Sequence, residues 1–216
     1  MSRLQMIFSF VILSLAATAS RADTITVTGV NSGQASTATV VCEFNSQTNT
    51  FTFTITNTSA ITQPASTSTI TGIGYDLPPT GNASASGLNG FTGSQAPSLT
   101  SSFNFSDADL GNVPAGLNNV VLDFGFTTGP AGTFAGGSTN DGLLPGESAS
   151  FTVTGAAFTG FTQQQICDAI FVRFQNTPVV GSDVAIVGTA IPEPSTMLLL
   201  SSGLVGALGV LRKRRR

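Results

Sequence analysis

Phe51-Thr52-Phe53-Thr54-Ile55-Thr56 alternates an apolar residue with a threonine at every step. A period of two puts Phe51, Phe53 and Ile55 on one side of an extended chain and the three threonines on the other. That pattern marks a strand with one face in a core and one in water. The alternation recurs outward in both directions, at Thr24 to Thr28, Val40/Cys42/Phe44, Ile73/Tyr75/Leu77, Val120/Leu122/Phe124/Phe126, Phe151/Val153 and Ile170/Val172/Phe174. β-Branched and aromatic residues fill these runs. Turn-forming clusters divide them: Asn31-Ser32-Gly33, Pro78 to Asn82, Gly129-Pro130, Asn140-Asp141-Gly142 and Pro145-Gly146-Glu147. The stretch from Asn82 to Gln95, rich in Gly, Ser and Asn, reads as a long loop. A helical pattern is confined to Thr162 to Ala169, about two turns. The expectation is an all-β ectodomain over residues 23–190, a β-sandwich of jelly-roll or immunoglobulin-like type.

Charge is scarce, at 9% of 216 residues, and unevenly placed. Between Asp23 and Ala190 ten acids face one base, Arg173, a formal charge of −9. Such a surface repels phosphate backbones, so nucleic acid is not an expected partner. Arg173 is expected to pair with a carboxylate at the edge of the core. The chain has no histidine, which removes every His-dependent triad and every His metal site. Lys213 is the single lysine and follows no Gly-rich phosphate loop. No cofactor is expected and no catalytic residue is assigned.

Two further constellations carry chemistry. Asp107, Asp109 and Asn112 offer oxygen ligands at Ca²⁺-like spacing around a glycine, but the later bidentate glutamate of an EF-hand loop is missing. The alternatives are an ordinary polar turn, or a pair of carboxylates for glycoside hydrolysis. Cys42 and Cys167, the two cysteines, are candidates for a disulfide if the chain is exported, with two buried thiols as the alternative.

Both ends read as addresses. Arg3, an apolar run from Met6 to Ala17 and small residues through Ala22 have the order of a secretory signal peptide, residues 1–22. Cleavage fits after Ala19 or Ala22, and the strand pattern starting directly after Ala22 favours the second. At the other end stand Pro192-Glu193-Pro194, an uncharged run over 195–211, and Arg212, Lys213, Arg214, Arg215 and Arg216. As a helix those 17 residues would reach about 25 Å, a minimal membrane span. The terminal cations would hold the end in the cytoplasm and leave everything before it outside.

These three ordered features, closing at the last residue, make 191–216 resemble the PEP-CTERM sorting domain, a tail also described as an ice-binding protein C-terminal domain. The resemblance implies an exosortase-type membrane protease as partner, with Pro192, Glu193 and Pro194 as its recognition residues and 212–216 as the basic stop. It implies transit through the inner membrane to the cell surface or extracellular matrix. The tail occurs on many unrelated domains and so reports destination, not activity. The expected function is that of a non-enzymatic cell-envelope protein, one associated with exopolysaccharide or biofilm. The alternatives are a polysaccharide-binding module, an ice-binding protein and a hydrolase using carboxylates alone. Against sugar binding stands the lack of tryptophan and near-lack of tyrosine. Against ice binding stands the absence of a regular solenoid period.

Overall fold

The computed structural model describes residues 22–61, 67–78, 88–110, 120–134, 137–178 and 180–187. The signal segment up to Arg21 and the whole tail from position 188 lie outside them. Ten strands run in chain order: β1 (Asp23–Gly29), β2 (Gly33–Asn45), β3 (Thr50–Asn57), β4 (Thr69–Tyr75), β5 (Phe91–Gln95), β6 (Asn104–Leu110), β7 (Leu122–Thr127), β8 (Ser148–Gly155), β9 (Ile170–Thr177) and β10 (Gly181–Val187). The helix α1 (Gln163–Asp168) sits between β8 and β9. Alternation placed seven of the ten strands correctly. β5, however, lies within the stretch expected to be a loop. Its sequence Phe-Thr-Gly-Ser-Gln has little strand propensity, and its pairing with β8 supplies the order that the residues do not.

The strands form one antiparallel ladder in the order β5-β8-β3-β2-β1-β10-β9-β4-β7-β6. The all-β expectation holds, with the sheet nearly closed into a barrel. The hydrogen bonding does not divide into two sheets, because β1 and β10 carry the ladder from one half to the other. The end strands β5 and β6 meet through side chains. Asp107 on β6 accepts from the backbone N–H groups of Gly90 and Phe91, both at 3.0 Å. Gln95 on β5 accepts from the N–H of Phe103 at 2.8 Å and donates to Ser101 Oγ at 2.9 Å. The Phe105 ring lies against Gly93, where any Cβ would overlap it. An otherwise open edge is thereby covered.

The inward residues of β3 meet those of strands far away in the ladder. Tyr75 on β4 meets Phe51 (5.4 Å) and Phe53 (5.3 Å) on β3 edge-to-face across the core, while between ladder neighbours Phe53 stacks on Phe151 of β8 at 5.0 Å and Tyr75 on Phe124 of β7 at 4.8 Å. Phe126 lies 4.5 Å from Phe151. Offset and edge-to-face geometry adds a specific term to the burial of these rings.

α1 covers one pole of the barrel. Thr162 caps it by accepting from the Gln165 N–H while the Gln165 side chain accepts from the Thr162 N–H, a reciprocal capping box. Its Ile166 and Cys167 are buried, and Gln163 ties it to β1 and β2 by donating to Asp23 and accepting from the Phe44 N–H, both at 2.8 Å. β10 runs antiparallel to β1 with Val187 opposite Val27, so the start of β1 and the end of β10 emerge at this same pole. At the opposite pole Asp183 fixes the β1–β2 turn. Its carboxylate accepts from the N–H groups of Asn31 (3.1 Å) and Ser32 (2.7 Å) and from both their side chains. Burial alone would raise its pKa, but these hydrogen bonds together outweigh that effect and hold it below the ordinary value.

Candidate functional site

The outward face of β1, β2, β3, β8 and β5 is an array of hydroxyls. Register sets Thr24, Val41, Thr54 and Ser150 side by side, and Thr26, Thr39, Thr56 and Ser148 in the next row. On the other flank stand Glu43, Thr52, Thr152 and Ser94, then Asn45, Thr50, Thr154 and Thr92. All positions but Val41, Glu43 and Asn45 carry a hydroxyl, and Glu43 carries the one charge. Strand spacing of about 4.8 Å and a two-residue repeat of about 6.7 Å make the array a grid. Neighbouring hydroxyls bond to each other: Thr54 with Ser150 and Thr56 with Ser148 at 2.7 Å, Thr92 with Thr154 at 2.8 Å. Between two rows lies an open trough of about 360 Å³, walled by Val41, Thr54 and Ser150 on one side and by Glu43, Thr52 and Thr152 on the other. Phe53 and Phe151, whose rings point inward, supply its floor.

The alternation that identified β3 also placed its threonines outward. What sequence reasoning missed was the run Ser148-Ala149-Ser150-Phe151-Thr152-Val153-Thr154 as a second hydroxyl file, and its adjacency to the first across about a hundred residues of chain. The signal was present in that alternation, but the neighbour relation was not.

The other sequence-derived candidates fall elsewhere. Cys42 on β2 and Cys167 on α1 are joined as a disulfide with Cα atoms 6.4 Å apart, buried beneath the helix. Asp107 spends its carboxylate on two backbone N–H groups, while the side chain of Asp109 and all of Asn112 lie outside the described residues. Among the described residues no cluster of three or more acids or cysteines has metal-binding geometry. The expected carboxylate partner of Arg173 is not found among the described residues. Arg173 is buried under the segment after β7 and donates to the Phe134 carbonyl at 3.0 Å, leaving Nε without a partner among the described residues. The reason is its address: across the ladder it faces Gly72 on β4 and Val184 on β10, neither of them an acid. Loss of hydration at this site lowers its pKa.

The sorting residues Pro192, Glu193 and Pro194, the expected span 195–211 and the basic stop 212–216 all lie outside the described residues. Among the described residues no helix is long and apolar enough to cross a membrane. Residues 190–216 match the family model of the PEP-CTERM protein-sorting motif. The chain carries a PEP-CTERM tail. That tail implies export and membrane-associated processing by an exosortase. No curated protein and no solved structure matches the chain. The β domain in front of the PEP-CTERM tail must therefore be read from its own surface.

Proposed function

We propose that the protein is a non-enzymatic component of the cell surface or extracellular matrix, delivered there by its PEP-CTERM tail. The observation that carries this reading is the sorting motif at 190–216, directly after the last strand of a β domain. The uses of three of the acidic groups support a structural role for them. Asp107, Asp123 and Asp183 each accept from two or more backbone N–H groups, so each is committed to holding loops. A carboxylate that works as acid, base or nucleophile needs a free oxygen facing substrate.

Intact-mass measurement of protein extracted from the surface of cells that possess an exosortase tests delivery. The expected species begins near Asp23 and ends near the Pro192-Glu193-Pro194 motif. A surface species that still contains Arg212 to Arg216 removes the processing step and leaves only a membrane anchor.

A further inference from the structure

The geometry points to the trough on β2, β3 and β8 as a binding site for an extended neutral polysaccharide chain. The inference deepens the surface-protein reading, since it needs the hydroxyl face outside the cytoplasm. Thr52, Thr54, Ser150 and Thr152 line the trough, with Val41 and Glu43 at its β2 end. Its volume of about 360 Å³ is at the lower end of small-ligand sites, and its open form admits a chain passing through rather than a molecule enclosed.

Hydrogen-bond accounting identifies the ligand class. The Thr54–Ser150 pair shares one hydrogen bond at 2.7 Å. Two hydroxyls hold two donors and four lone pairs, so the pair keeps one donor and three acceptor positions for an outside partner. A partner that offers both donors and acceptors at short intervals matches this, as the hydroxyls of a sugar chain do. The threonine methyls and Val41 offer apolar contact for the C–H faces of sugar rings in the absence of an aromatic platform. Charge completes the choice. Glu43 is the single acidic side chain in the trough, and the domain around it carries a formal charge of −9, so uronate or sulfated chains are repelled. A flat crystalline surface such as ice fits less well. Strands twist by roughly 20–25° from one to the next, which turns this face through roughly 80–100° between β1 and β5.

Native affinity electrophoresis of the full chain in mild detergent tests the site, with hydroxyethylcellulose and dextran as neutral probes and alginate as the anionic one. Retardation by at least one neutral polymer and none by alginate is expected. Thr52→Val, Thr54→Val and Thr152→Val each keep the side-chain shape and remove the hydroxyl. Each should weaken retardation about fivefold, the effect of one lost hydrogen bond. Their outward, half-buried positions and the high strand propensity of valine preserve the fold, which a thermal unfolding curve checks. The proposal is overturned if neither neutral polymer retards the wild type, or if the folded triple variant is retarded equally. Inhibition of ice recrystallisation by a protein that no neutral polymer retards also overturns it. Delivery is read separately by cell fractionation: retardation in vitro of a protein found in the cytoplasm sinks the surface reading and leaves the trough standing.

Discussion

Tyr75, the single tyrosine, sits at the centre of the aromatic core with its hydroxyl buried and without a hydrogen-bond partner among the described residues. Desolvation pushes its pKa well above the ordinary value. An unsatisfied buried hydroxyl costs about 1–3 kcal/mol, and the ring does the packing. Tyr75→Phe should therefore raise the urea midpoint, by about 1 kcal/mol of stability; a lower midpoint would mean that the hydroxyl has a partner. Asp183 makes the opposite case. Its folded pKa is depressed, so the stability it contributes is fully present above the unfolded value of 3.8 and is lost as pH falls through the folded one. Asp183→Asn should be less stable than wild type at pH 7, by about 2 kcal/mol for the lost charge-assisted bonds. The gap should narrow as pH falls below the unfolded value of 3.8 and close only below the depressed folded one. A constant gap from pH 7 to pH 2 in chemical denaturation would rule out the carboxylate's ionisation as the cause.

At the scale of elements, the β5–β6 seam is where the barrel closes without a backbone ladder. Asp107→Ala removes the acceptor for the Gly90 and Phe91 N–H groups. Faster hydrogen exchange at those two amides is expected, with a global loss of about 1–2 kcal/mol. Unchanged exchange would show that the seam is held by the Phe105–Gly93 contact and Gln95 instead. The same seam marks where the sequence stopped being readable. β3 was legible because Phe, Thr and Ile alternate without interruption. β5 and β6 were not, since Gly93, Ser94, Asp107 and Asp109 are poor strand formers that become strand through their neighbours β8 and β7. β10 was missed for a similar reason, beginning Gly181-Ser182-Asp183 with an acid facing inward. The PEP-CTERM motif, by contrast, was legible from sequence order alone. The trough was half legible: periodicity told which side chains face out, but only pairing told that β3 and β8 stand together.

Taken whole, the molecule is cross-linked between β2 and its polar helix by Cys42 and Cys167, 125 residues apart. Closing so long a loop limits the unfolded chain and corresponds to roughly 4–5 kcal/mol in the entropy model. Alkylation of the unfolded, unreduced protein should find no free thiol, and the Cys42→Ser/Cys167→Ser double variant should lose stability on that scale. Two alkylated thiols in freshly exported protein would remove the bridge.

The position of β10 in the ladder has a mechanical consequence. The chain leaves the domain through β10, which is sixth of ten strands and hydrogen-bonded to β1 on one side and β9 on the other. A force applied through the tail, as when a tethered protein is dragged by whatever it holds, therefore enters at the middle of the sheet. It cannot peel away an edge strand one bond at a time. Pulled along its own axis, β10 must slide against two neighbours at once, and their bonds share the load and fail together. A domain hung by its edge would open like a zipper; this one is hung by its keel.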